Sequence, residues 1–138
     1  MAGNHGRYGP SPARETLSAD FEAFAEHCRW LVEQGCDGVA VNGSLGEYQT
    51  LSQEERAKVV ETAVAAVGGR NVMAGVGAYG SAESRRWAEQ ARDAGCAPSC
   101  CCRQLLQGRR EDRDRPLQGV AKGGLPIVAY NNPYDTKV

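Results

Sequence analysis

Histidine is nearly absent from this sequence. There are two, and neither has a nucleophile or ligand partner at a useful spacing: His5 lies in a Gly/Pro/Arg-rich opening and His27 beside an apolar helical pattern. That disfavours a histidine-based triad or metal cluster. Long apolar runs are missing too, since none approaches the roughly 20 residues of a membrane span. The stretch Met1 to Pro10 has no apolar core, so a signal peptide is not expected. Net charge is only −1 with both signs interspersed, which leaves no electrostatic reason for a nucleic-acid or anionic-membrane partner. A cytoplasmic location follows as the expectation.

The cysteines, six in number, contain no C-x-x-C pair. Cys28, Cys36 and Cys96 sit in or beside apolar patterns, as small buried thiols do. Cys100, Cys101 and Cys102 are consecutive; neighbouring side chains cannot share one tetrahedral site, and no histidine follows them, so no metal site is expected.

What is present is a globular hydrophobic content of 41%, enough for one domain. Residues 1–17 have no period and are expected to be a disordered or aberrant arm; 18–138 form the domain. Phe21, Phe24, Ala25, Cys28, Leu31 and Val32 repeat with helical spacing, and Gly35 is placed to end that helix. Val39 to Val41 is a short buried strand. Ser52 and Glu55 have the spacing of a capping box, opening a helix that carries Val60, Ala63, Val64 and Val67 on one side and stops at Gly68-Gly69. Val72 to Val76 is a second strand. Ser81 is placed to cap a third helix with Trp87, Ala88, Ala91 and Ala94 inward, and Leu125 to Tyr130 is a further strand. The first interval between strand starts is about 34 residues, one βα unit, and the second about 54, nearer two. Between them 97–118 shows neither strand nor helix period and is expected to be irregular.

Two glycine-bearing loops follow strands. Asn42-Gly43-Ser44-Leu45-Gly46-Glu47 lies between the first strand and the capped helix, where an α/β fold binds ligands and where glycines let backbone amides approach an anion. Gly75-Val76-Gly77-Ala78-Tyr79-Gly80 matches G-x-G-x-x-G in the right context. It lacks an acidic residue about 20 positions on, so the dinucleotide fingerprint is taken as chance, and a small dinucleotide-binding α/β module is only an alternative. Tyr130 ends a buried strand; with parallel strands, its hydroxyl and that of Ser44 would emerge at one edge and could relay protons. A plain strand-end aromatic accounts for the spacing equally well.

Taken together, Asn42-Gly-Ser-Leu-Gly-Glu47, Leu51-Ser-Gln-Glu-Glu55, Ala74-Gly-Val-Gly77 and Leu125-Pro-Ile-Val-Ala-Tyr-Asn-Asn-Pro133 make the chain resemble the dihydrodipicolinate synthase / N-acetylneuraminate lyase family of (β/α)8 barrels. The resemblance covers about 18–96 and 120–138. It implies an incomplete TIM barrel, roughly its first half, with parallel strands near 38–42, 72–76 and 125–130. It further implies lyase chemistry of the class I aldolase kind on pyruvate or a related 2-keto acid, through a lysine Schiff base. No cofactor is expected, and the intact family member is expected to be a homo-oligomer. By the same resemblance, Ser44 and Tyr130 are catalytic hydroxyls of the proton relay. Gly43, Ser44, Leu45 and Glu47 are substrate-binding: the amides of Ser44 and Leu45 hold the keto-acid carboxylate, and Glu47 ties the loop's shape.

Three departures bear on specificity. Leu45 stands where the synthases usually carry a second hydroxyl, and Asp135 where they carry an arginine for the aldehyde substrate. Both favour a dehydratase or deaminase branch acting on hydroxyproline- or sugar-acid-derived keto acids. The Schiff-base lysine belongs to the strand after Tyr130, and Lys137 is too early to replace it, so a truncated, inactive form or a non-catalytic fragment is expected. The family pattern also puts a strand and a tyrosine-bearing loop at 97–118. A frame-shifted reading accounts for this: Cys-Cys-Cys as TGC TGC TGC contains CTG CTG, Leu-Leu, one base over. Resequencing that shows an intact frame with no compensating indels nearby would sink the idea.

Overall fold

A computed structural model describes residues 18–78, 80–96, 100–103 and 120–130. The arm 1–17, Tyr79 and 131–138, with Asp135 and Lys137, lie outside the described residues, as does most of 97–118. Helices α1 (Phe21–Glu33), α2 (Gln53–Val67) and α3 (Ser81–Asp93) accompany strands β1 (Val39–Val41), β2 (Val72–Gly75), β3 (Cys100–Arg103) and β4 (Ile127–Tyr130).

Local chemistry explains the helix boundaries. Asp20 caps α1 by accepting from the Ala23 amide at 3.0 Å. The helix ends at Gly35, whose φ of 93° suits glycine alone, with the Cys36 amide returning to Leu31 O at 3.1 Å. The capping box forms in both directions: the Glu55 amide donates to Ser52 Oγ and the Ser52 amide to the Glu55 carboxylate. The start of α3 differs from expectation. Gly80, not Ser81, occupies the cap position and offers no side-chain acceptor.

The strands form one parallel sheet in the order β1-β2-β3-β4. Val39 pairs with Val72 and Val41 with Ala74; Ala74 pairs with Cys100, and Cys100 with Ile127. Expected strands near 38–42, 72–76 and 125–130 are present in slightly shorter form. The expectation of an irregular stretch over 97–118 is corrected at Cys100–Arg103, which is the strand between β2 and β4. Backbone pairing on both sides holds that strand without requiring any alternation in its side chains.

Partners in a parallel register share a face. Val39, Val41, Val72 and Ala74 lie on the buried face, under Phe24, Cys28 and Leu31 of α1, Val59, Val60 and Ala63 of α2, and Trp87, Ala88 and Ala91 of α3. The other face is left more open, with Ala40 and Met73 partly covered and Val128 47% exposed. Among the described residues the helices lie on one face only, and with an apolar opposite face that is the arrangement of a barrel wall rather than of a doubly wound sheet.

Candidate active site

The loop after β1 begins with two backbone decisions. Asn42, buried at 3% exposure, takes φ 56°, and Glu47 takes φ 52°. Both are left-handed, a conformation in which asparagine is several-fold enriched over most side chains. Between them Ser44–Gly46 makes a single 3-10 turn, closed by the Gly46 amide on Gly43 O at 2.9 Å. Leu45 stands 80% exposed. Glu47 shapes the exit through its carbonyl rather than its carboxylate: that oxygen accepts from the Thr50 amide and the Thr50 hydroxyl, each at 2.8 Å.

Behind this loop lies a residue whose importance the sequence pattern did not single out. Arg56 is buried, 6% exposed. Its Nη2 donates to Gly75 O at 3.1 Å and to Gly77 O at 2.9 Å. Its guanidinium carbon lies 4.6 Å from the Tyr48 ring centroid and 4.3 Å from that of Trp87, within cation–π range of both. Burial pulls the guanidinium below its usual pKa, with Tyr48 and Glu83 acting in the opposite sense; arginine remains charged through any such shift. The main-chain carbonyl of Arg56 accepts Asn42 Nδ2 at 2.9 Å. A legible signal did exist. Arg56 stands four residues before Val60 and seven before Ala63, on the inward stripe of α2.

Gly43, Ser44, Leu45 and Glu47 therefore sit together at the carboxyl end of β1. Tyr130 is the last residue of β4, paired with Arg103, and so belongs to the same edge. The two hydroxyl-bearing positions are not neighbours within the sheet, because β2 and β3 separate them. Along a flat sheet, three strand spacings would be about 14 Å; only barrel curvature shortens that. Tyr130 and Ser44 are described through their backbone alone.

The second glycine loop serves a different end. A Cβ at Gly75 would fall on the Asn42 carbonyl oxygen, and the carbonyls of Gly75 and Gly77 are taken by Arg56. The third glycine of a dinucleotide fingerprint allows close helix–strand packing, yet a Cβ at Gly80 would meet nothing within 4 Å. The pattern is a packing feature. Among the described residues no group of three His, Cys, Asp or Glu side chains could hold a metal ion, and no helix is long and apolar enough to cross a membrane. Cys28 and Cys96 are buried thiols whose desolvation pushes them up to about 11, the opposite of an activated nucleophile.

A wall of parallel strands with helices on one face, and loops at the strands' carboxyl ends, is the wall of a (β/α) barrel. The chain belongs to the dihydrodipicolinate synthetase family, whose model matches residues 11–138. It is 35% identical over 121 residues to a 4-hydroxy-tetrahydrodipicolinate synthase of a Jannaschia species, covering 84% of this chain and 41% of that protein. Among solved structures, it is 32% identical to a dihydrodipicolinate synthase from Agrobacterium tumefaciens, with TM-score 0.81, covering 94% of this chain and 45% of that one. It is 25% identical to the chloride-inhibited dihydrodipicolinate synthase of Acinetobacter baumannii complexed with pyruvate, with TM-score 0.84, covering 95% and 46%. The chain thus spans a little under half the length of these relatives.

Proposed function

We propose that this chain carries the carboxylate-binding half of a 2-keto-acid site in a Schiff-base-forming lyase of the aldolase type. The observation that carries the reading is the loop Gly43–Glu47, folded as a tight turn at the carboxyl end of β1 in a chain of this family. Pyruvate bound to a relative of matching fold supports the substrate class. In this reading the amides of Ser44 and Leu45 receive the keto-acid carboxylate, and Gly43 keeps the approach free of a side chain. Glu47 sets the turn's exit. The hydroxyls of Ser44 and Tyr130 relay a proton to the oxygen that leaves as water when a lysine amine condenses with the keto carbon. In this reading that lysine belongs to a strand following Tyr130, and the binding half of the site is what these 138 residues carry.

Titration with pyruvate, followed by amide NMR, tests the binding half: the Ser44 and Leu45 signals should move together and saturate. Unmoved signals would refute it. Borohydride trapping with pyruvate tests the catalytic half. No covalent adduct is expected on the 138-residue chain, and an adduct on any of its lysines would overturn the division of labour proposed here.

A different reading concerns the branch of the family. An exposed aliphatic side chain at Leu45 offers apolar contact where a hydroxyl would offer a hydrogen bond. That favours the dehydratase or deaminase branch, on hydroxyproline- or sugar-acid-derived keto acids, over the synthase. Tighter binding of a longer-chain 2-keto acid than of pyruvate is the expected result; equal or weaker binding removes the argument.

A further inference from the structure

The residues touching Arg56 flank the candidate site loop on both sides. Asn42, immediately before Gly43, donates to its main-chain carbonyl. Tyr48, immediately after Glu47, lies against its guanidinium. The same guanidinium reaches the carbonyls of Gly75 and Gly77 in the next loop and lies against Trp87 of α3. Arg56 thus joins the entry of the Gly43–Glu47 loop, through its main chain, and the exit, through its side chain, to the end of the neighbouring strand.

A charge is an expensive way to fill such a space. Among the described residues no carboxylate forms an ion pair with Arg56; its desolvation is offset by two carbonyls, two ring faces and the unpaired, more distant charge of Glu83. An apolar side chain of similar length would fill the volume without that penalty. What it could not do is bond the carbonyls of Gly75 and Gly77 while setting a cation over the Tyr48 and Trp87 rings. The left-handed Asn42 points to the same conclusion, since its side-chain amide holds the turn of α2 on which Arg56 sits.

We propose that Arg56 is the positioning residue of the site loop: through Asn42, Tyr48 and the Gly75 and Gly77 carbonyls it holds Gly43–Glu47 in register with the carboxyl edge of β2, so that the loop amides are preorganised for an anionic substrate. This rests on the keto-acid reading for its substrate but not for its geometry. Arg56 does not touch the reacting atoms, and its contribution is to loop order.

Hydrogen exchange of the full 138-residue chain, wild type against Arg56→Met and Arg56→Lys, tests this with no ligand present. In Arg56→Met the amides of 43–48 and 75–78 are expected to exchange roughly tenfold faster, while those of α1 and of β1 keep their protection. Arg56→Lys retains the charge but not the forked guanidinium donors, and is expected to give a smaller increase confined to the same amides. Unchanged protection of 43–48 in either variant overturns the proposal, as does a loss spread evenly over α1 and α3, which would mark a merely structural residue. If Arg56→Met fails to fold, the lysine variant decides alone.

Pyruvate titration of the folded variants then adds the functional arm: binding should weaken roughly tenfold in Arg56→Met, with recovery toward wild type in Arg56→Lys. Should pyruvate fail to bind wild type while 43–48 still loosens in the variants, the positioning role stands and the keto-acid reading falls.

Discussion

Two glycine loops follow two adjacent parallel strands here, and they are built for opposite purposes. After β1, a Cβ at Gly43 would meet nothing within 4 Å, and the following turn presents an exposed Leu45. After β2, Gly75 is pressed against the Asn42 carbonyl, and its own carbonyl and that of Gly77 are occupied by Arg56. The first loop has room in front of it; the other has its backbone tied to the interior. By its letters alone, the loop after β2 also has a claim to function, because it matches a named fingerprint, although the acidic residue that fingerprint needs is missing. What separates them is where the backbone groups point, and a motif does not record that.

The sharpest way to break this contrast is to add one methyl group to each loop. Gly75→Ala drives a Cβ into main chain that cannot move aside, and is expected to destabilise the fold by roughly 3 kcal/mol. Gly43→Ala is expected to lie within about 0.5 kcal/mol of wild type. Urea melts of the two variants side by side check this, and similar losses would show that the loops are not different in kind.

A smaller effect is expected where the first loop hands over to α2. Ser52→Ala removes one half of the capping box and should lower stability by about 1 kcal/mol, read as a shift in the urea midpoint without a change of slope. The other half of the box is sensitive to pH. The Glu55 carboxyl is held below its ordinary value first by the Ser52 amide and then by that of Ala19. Because its folded pKa lies lower than its unfolded one, its contribution is complete above the unfolded value near 4.5 and is lost as pH falls through the folded value. The loss should begin below about pH 4.5 and be absent from Glu55→Gln; an identical acid profile for the two proteins would deny the carboxylate this role.

Smallest of all is Leu45→Thr. With Leu45 80% exposed, stability should change by no more than about 0.5 kcal/mol. Any preference between pyruvate and longer 2-keto acids should move toward the smaller acid. A shift in stability without a shift in preference would mean that Leu45 packs rather than selects.

How much of this is legible in the sequence differs by element. The capping box, the strand Val39–Val41 and the stops at Gly35, Gly68 and Gly95 are readable because each depends on a few neighbouring residues. Three glycines with φ between 80° and 93° meet a need that only local backbone geometry creates. The strand Cys100–Arg103 is not readable. It owes its conformation to ladders with β2 and β4, partners distant in sequence, and the run Cys-Cys-Cys-Arg shows no alternation by which to mark a strand. Arg56 is hidden for a related reason. An arginine on an inward stripe resembles an error in the pattern until two ring faces and two carbonyls surround it.

The sequence by itself determined that the candidate site residues stay together. Gly43, Ser44, Leu45 and Glu47 fall within five consecutive positions, and a run of five residues keeps its members together whatever the fold does. Tertiary structure alone decided what stands behind that run. Asn42, Tyr48, Arg56, Gly75, Gly77 and Trp87 come from the segment between β1 and α2, from α2, from the end of β2 and the loop after it, and from α3, and meet only because parallel strands align their carboxyl ends. Tertiary structure also set Ser44 and Tyr130 on one edge with two strands between them. Their meeting is then a matter of how far the wall curls, because closure of a sheet is a property of all its strands and of no single segment.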